Sequence, residues 1–91
     1  EWEDGFLFLI HEVYFDNLER FYVHRFVFMT RTFQMTHFSN PFKFGAEPIE
    51  YICGLARAPT ATSVMVTWGQ KDCAGFLSTI TDGEVKTMLR I

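Results

Sequence analysis

FLFLIHEV (6–13) and SVMVTWGQKD (63–72) are the two stretches on which the reading of the fold turns. Each is an apolar run that breaks into polar residues, His11-Glu12 in the first and Gln70-Lys71-Asp72 in the second. Each is followed by another apolar run, YVHRFVFM (22–29) and CAGFLSTI (73–80). β-Branched and aromatic residues dominate, and the period is two. Tyr22, His24, Phe26 and Phe28 alternate with Val23, Arg25, Val27 and Met29, and Val64, Val66 and Trp68 alternate with Met65 and Thr67. A unit written twice predicts stacked β-sheets rather than one ordinary core. Both sides of 22–29 are largely apolar, so that strand is expected to be covered on both faces.

Turn chemistry divides the chain. Phe15-Asp16-Asn17-Leu18-Glu19 reads as a polar hairpin loop, and Thr30-Arg31-Thr32 as a shorter connection to a strand near 33–38. Asn40-Pro41 stops pairing, because proline has no N–H to donate. Gly45-Ala46-Glu47-Pro48 is the main break, which puts one sheet unit in 1–44 and another in 45–91. Ala58-Pro59-Thr60-Ala61-Thr62 and Gly69-Gln70-Lys71-Asp72 supply the remaining turns. Gly54 interrupts IEYICGLA (49–56) and predicts a bulge. Only the C-terminal end reads as helix: Thr81-Asp82-Gly83-Glu84 has the form of a capping box, with Val85, Met88 and Leu89 at helical spacing behind it. The fold class is therefore all-β, two antiparallel sheets with one short C-terminal helix.

Composition sets limits. Ninety-one residues make one domain at most, yet the chain carries eleven Phe. At about 25 cal/mol per Å² of apolar surface, burying each is worth about 1.5–3 kcal/mol, and so short a chain has few places to hide them all. Some of those rings are expected to face a partner sheet outside these residues. The net charge of −3 argues against nucleic acid, which requires clustered Lys and Arg. No stretch approaches the roughly 20 apolar residues of a membrane-spanning helix. The opening Glu-Trp-Glu-Asp is unlike the basic start of a signal peptide, so a cytoplasmic setting is expected, with Cys53 and Cys73 as buried reduced thiols.

Several residues stand out chemically. His11 lies where a strand leaves its apolar run, and reads either as a histidine satisfied at a strand end or as a ligand contact at a rim. His24 and Arg25 read either as a buried polar pair held between sheets, in which Arg25 should find an Asp or Glu, or as an anion-binding pair. Asp72 reads as a turn aspartate capping its own backbone or as a carboxylate aimed at sugar hydroxyls. Glycoside cleavage needs two carboxyl groups about 5–9.5 Å apart, and only Glu12, Glu50 and Asp72 are placed to contribute. The three histidines have no accompanying Cys/His cluster, so no metal site is expected.

These motifs, taken in order, resemble the C-terminal part of the five-bladed β-propellers of the mannoside-phosphorylase family, a branch of the glycoside-active propellers. His11 matches the histidine of an aromatic-His-Gly strand end, Cys53-Gly54 a Cys-Gly pair on an innermost strand, and Trp68-Gly69 with Asp72 an aromatic-Gly-x-x-Asp turn. The resemblance implies that 1–44 is a penultimate blade lacking its innermost strand and 45–91 the last blade with a closing helix. It implies that His11, Tyr51, Cys53 and Asp72 gather on one rim to bind carbohydrate. The general acid and the other blades would lie outside these residues, so the fragment holds no catalytic residue of its own. No cofactor is implied, although inorganic phosphate would serve as co-substrate in a phosphorylase. Glu12 stands where the family usually has glycine, and a second carboxylate there would repel phosphate. A non-catalytic glycan-binding propeller attached to a glycosyltransferase or another sugar-modifying domain, and a small β protein that self-associates, are the alternatives.

Overall fold

The computed structural model describes residues 2–16, 19–45, 49–59, 62–70 and 74–91, with only the backbone described for Asp16, Glu19 and Ala74. Six strands and a helix follow in order: β1 (Gly5–Asp16), β2 (Glu19–Thr30), β3 (Met35–Phe38), β4 (Glu50–Arg57), β5 (Ser63–Gln70), β6 (Ala74–Thr81) and α1 (Asp82–Leu89). β1-β2-β3 form one antiparallel sheet and β4-β5-β6 a second.

The first hairpin is longer than its composition suggests. β1 and β2 pair without interruption from Gly5↔Thr30 to Asp16↔Glu19, so Phe15, Asp16 and Glu19 belong to strands rather than to the loop. Gly69 and Gln70 likewise extend β5, opposite Tyr51 and Glu50. The third strand is shorter than expected, because Phe33 adopts a left-handed conformation (φ 67°) in the turn closed by Phe33 N–H to Thr30 O and Thr30 N–H to Gln34 O. An aromatic residue there is strained. Its ring stacks on Phe6 at 6.1 Å. The bulge signalled by Gly54 is present: Ile52 faces Trp68 and Gly54 faces Thr67, leaving Cys53 as the extra residue. That placement leaves Cys53 exposed and free, not buried; Cys73 lies outside the described residues.

Opposed residues in an antiparallel pair share a face. Leu7, Leu9, His11 and Val13 therefore lie on the same face as Phe28, Phe26, His24 and Tyr22. That face meets the Glu50, Ile52, Leu55, Val64, Val66 and Trp68 face of the second sheet. Trp2, Phe26, Val64, Val85 and Leu89 form the buried cluster between the sheets and α1, with Leu7, Leu9, Phe28, Phe42, Leu55, Ile80 and Met88 packed around it. The expected alternation in β5 holds, with Val64, Val66 and Trp68 buried and Thr67 exposed.

α1 has the predicted capping box. Thr81 Oγ1 accepts from Glu84 N–H, and the Glu84 carboxylate accepts from Thr81 N–H. Its first residue ties the ends of the chain together. Asp82 accepts from Trp2 Nε1 at 3.1 Å and from Arg57 Nη1 at 2.6 and 2.7 Å, while Lys86 pairs with Glu3 at 3.0 Å. Trp2 reaches the core through a tight turn in which Trp2 and Gly5 exchange backbone hydrogen bonds around Glu3 (φ 51°). Gly5 is there because nothing larger fits: a Cβ would lie 2.2 Å from the Met29 carbonyl oxygen and 2.8 Å from the Phe28 ring. Gly5→Ala is expected to cost about 1–3 kcal/mol through forced displacement, read as a lower urea midpoint at an unchanged slope.

On the other face of the first sheet Phe33 stacks on Phe6 and Val27 is buried, but Phe8, Ile10, Met35 and Phe38 remain exposed. Phe8, Ile10, Val27, Met29, Met35 and Phe38 line a wholly apolar groove of about 370 Å³ on it. On strand 22–29 the expected two-sided covering holds at Val27, which is buried, and is partial at Val23, Arg25 and Met29. Among the described residues no helix is long and apolar enough to cross a membrane.

Candidate functional site

The chain passes from the first sheet to the second after β3, and the chemistry-bearing residues collect around the described part of that crossing, residues 39–45. Phe42 first joins the free edge of β2, where His24 N–H donates to Phe42 O at 2.8 Å and Phe42 N–H to His24 O at 2.9 Å. The chain then wraps Glu50, the first residue of β4. Phe44 N–H donates to Glu50 Oε1 at 2.7 Å and Gly45 N–H to Oε2 at 2.8 Å. His24 Nε2 lies 2.8 Å from Oε1. Both side chains are fully buried.

The proton positions follow from the partners. The two Glu50 oxygens already accept from backbone amides, so His24 Nε2 must be the donor. His24 Nδ1 is buried and has no partner among the described residues, and with no acceptor for a second N–H the ring is neutral, with a lone pair at Nδ1. The rings of Phe42 and Phe44 pack against the imidazole at 5.9 and 5.7 Å. Burial holds the His24 pKa below its ordinary value, opposed by the hydrogen bond and charge of Glu50. The approach at Gly45 is close: a Cβ there would stand 2.5 Å from Gln70 Nε2, the movable end of that side chain, and 3.3 Å from Glu50 Oε2.

An aromatic column leads outward from the core past this pair. Phe26 stacks on Phe42 (5.3 Å), Phe42 meets Phe44 edge-on (5.4 Å), Phe44 stacks on Trp68 (5.4 Å), and Trp68 stacks on Phe76 (4.5 Å). Trp68 Nε1 is satisfied by Ser78 Oγ at 2.9 Å. Phe76, 42% exposed, ends the column at the surface.

His11 is exposed and faces His24 directly across the β1–β2 ladder, with Tyr22 beside it at 6.1 Å. It therefore stands at the mouth of the cleft between the sheets. Tyr51 starts at the same end but points the other way, its ring lying across Gly69 on the outer face of the second sheet. Cys53 is exposed on the bulge. Asp72 lies outside the described residues. His11 and Tyr51 thus share an end of the molecule, but not a face.

His24 and Arg25 do not act as one unit, because neighbours on a strand point to opposite faces. Arg25 pairs on the outer face with Glu12 through Nε and donates from Nη1 to Ser39 O at 3.1 Å. Glu12 also accepts from the Tyr14 hydroxyl at 2.7 Å. The Tyr14 hydrogen bond first, then Arg25, hold the Glu12 carboxyl below its ordinary pKa. Its carboxylate faces away from His11 and is paired with Arg25. Of the three carboxylates offered for glycoside chemistry, then, Glu12 faces outward and Glu50 is saturated and buried. The third, Asp72, is not described.

Among the described residues no group of His, Cys, Asp and Glu could hold a metal ion. His37 sits on β3 beside Thr36 Oγ1 (3.0 Å) and the Phe28 ring (6.1 Å), far along the ladder from His24. A second cavity, of about 160 Å³, lies beside Trp2, Leu7, Leu55, Arg57 and Val64, towards the opposite ends of β4 and β5 from Glu50. Compared with known proteins, the chain matches no family model, no curated protein and no solved structure.

Proposed function

We propose that the chain is part of a five-bladed β-propeller of the glycoside-active kind. Residues 1–44 would form a penultimate blade without its innermost strand, and 45–91 the last blade with its closing helix. The whole protein acts as a glycoside phosphorylase or hydrolase on mannoside-type or related glycosides, with inorganic phosphate as co-substrate if it is a phosphorylase. What supports this is one observation: two antiparallel three-stranded meanders, consecutive in sequence, stack face to face. The apolar outer face of the first sheet suits a further sheet on that side. The free edge of β1, twelve residues long, is where a missing innermost strand would pair.

In this reading His11 at the mouth between the sheets and Asp72 in the β5–β6 turn contact the sugar, with Tyr51 and Cys53 bordering the same end. Exposed Phe76 offers an aromatic platform nearby. A second reading is a glycan-binding propeller without catalysis, attached to a sugar-modifying domain. It is favoured by the engagement of Glu50 and Glu12 in fixed hydrogen bonds, which leaves neither of these two carboxylates free for glycoside cleavage.

Calorimetric titration of the full-length protein with manno-oligosaccharides, beside turnover assays with and without phosphate, separates these readings. His11→Ala and Asp72→Ala are each expected to weaken sugar affinity about tenfold, as loss of one hydrogen bond to a ligand would. Unchanged affinity and turnover in both variants would rule out the assigned rim. Binding without turnover in the unaltered protein would select the binding module.

A further inference from the structure

The crossing between the sheets rests on an arrangement that changes if one proton is added. Phe44 and Gly45 N–H groups, and with them the path of residues 42–45, are held by the two oxygens of Glu50. Glu50 is held in turn by His24 Nε2, from the opposite sheet. The remaining nitrogen, His24 Nδ1, has neither acceptor nor solvent around it among the described residues. A proton there would create a buried donor with nothing to receive it, costing about 1–3 kcal/mol or more for a charged group.

The charges around the imidazole come from three directions. Glu50 on β4 favours the protonated ring, whereas Lys43 in the crossing and His11 on β1 disfavour it. Phe42 and Phe44 close two sides with apolar surface. Of these neighbours only Glu50 attracts a proton to the ring, and its oxygens already lie on the Nε2 side.

We propose that His24 and Glu50 form a proton-released latch that fixes the 42–45 crossing, and with it the mouth where His11 sits, in neutral solution and frees it in mild acid. The latch is a positioning device, and it stands whether or not the protein binds carbohydrate. Its sign follows from the linkage between protonation and opening. The histidine is neutral when the latch is closed and titrates near 6.5 once opened to solvent. Closure is fully supported above about pH 6.5 and weakens as pH falls from there through the lower folded pKa, by at most about tenfold per pH unit.

Amide hydrogen exchange at Phe44 and Gly45, corrected for the intrinsic pH dependence of exchange, reads this directly. In the unaltered protein, protection of both amides is expected to fall about tenfold or more between pH 7 and pH 5, ahead of amides in the middle of β5. His24→Gln keeps an Nε2–H donor towards Glu50 but cannot titrate, and should hold protection constant across that range. His24→Leu removes the donor and should leave both amides weakly protected at every pH. Flat protection in the unaltered protein, or an equal fall in the Gln variant, overturns the proposal. Should the variants not fold, ¹⁵N shifts of the His24 ring decide: the neutral Nε2–H form at pH 6 supports the latch, and an Nδ1–H or doubly protonated ring excludes it. Glycan affinity enters none of these readouts, so failure of the latch and failure of the carbohydrate reading remain distinct.

Discussion

Replacing Glu50 with alanine is expected to destabilise the protein by about 3–5 kcal/mol, since each buried donor left without an acceptor costs about 1–3 kcal/mol. Three donors lose their acceptor at once: His24 Nε2–H, Phe44 N–H and Gly45 N–H. His24 is fully buried and cannot turn to water for a substitute. For a domain of this size, each kcal/mol lowers the melting temperature by about 4–8 °C, so the fall should exceed about 12 °C. Glu50→Gln keeps one carbonyl oxygen but turns an NH₂ towards a donor, and should cost less. The double variant His24→Leu/Glu50→Leu is the more telling comparison. Replacing both partners with apolar groups removes the orphaned imidazole, and should recover a substantial part of the loss, because a buried polar pair contributes little net stability over a hydrophobic one. A Glu50→Ala loss below about 1 kcal/mol, or a double variant no better than the single one, would show that the crossing does not depend on this carboxylate.

The strand pattern was legible because burial follows it. Val64, Val66 and Trp68 alternate with Thr67 in the sequence and in exposure, and Thr81 and Glu84 close a cap through groups three residues apart. Gly54 marked its bulge for an equally local reason. What was hidden depends on register. Twelve cross-strand pairs carry the first hairpin through Phe15, Asp16 and Glu19, residues whose local character is that of a loop. The length of that hairpin also decides that His11 faces His24; a slip of one residue would turn one of them to the outer face. Glu50 read as a rim carboxylate because it begins an apolar strand, and nothing local says that two amides from the preceding crossing will enclose it. A signal was nevertheless present. A histidine in the middle of an apolar strand must find a partner, and Glu50, after a glycine five residues earlier, was the carboxylate best placed to provide one. Cys53 was misjudged for the same reason: thiols are usually buried, but the bulge moved this one out of the ladder.

Phe26 and Phe8 offer a paired test of what covers the first sheet. Phe26 is fully buried, stacked on Phe42 at 5.3 Å within the cluster of Trp2, Val64, Val85 and Leu89. Phe26→Ala is expected to cost about 3–5 kcal/mol, combining lost transfer energy with a cavity the surrounding rings cannot fill. Phe8 lies on the opposite face of the same sheet, across the ladder from Val27 and 44% exposed within these residues. With that face open to water, Phe8→Ala removes a half-buried ring and should cost only about 1 kcal/mol. Under a further sheet, as proposed, the same substitution should cost about 3 kcal/mol, close to that of Phe26. Glu12 and Arg25 pair with each other on that face, and Arg25 is also held by Ser39 O. Chemical denaturation of the full-length protein and both variants gives the ratio of the two losses. A ratio near one requires a covering sheet; a ratio of three or more leaves the groove of Phe8, Ile10, Met35 and Phe38 facing water, and the stacked-blade arrangement would have to be abandoned.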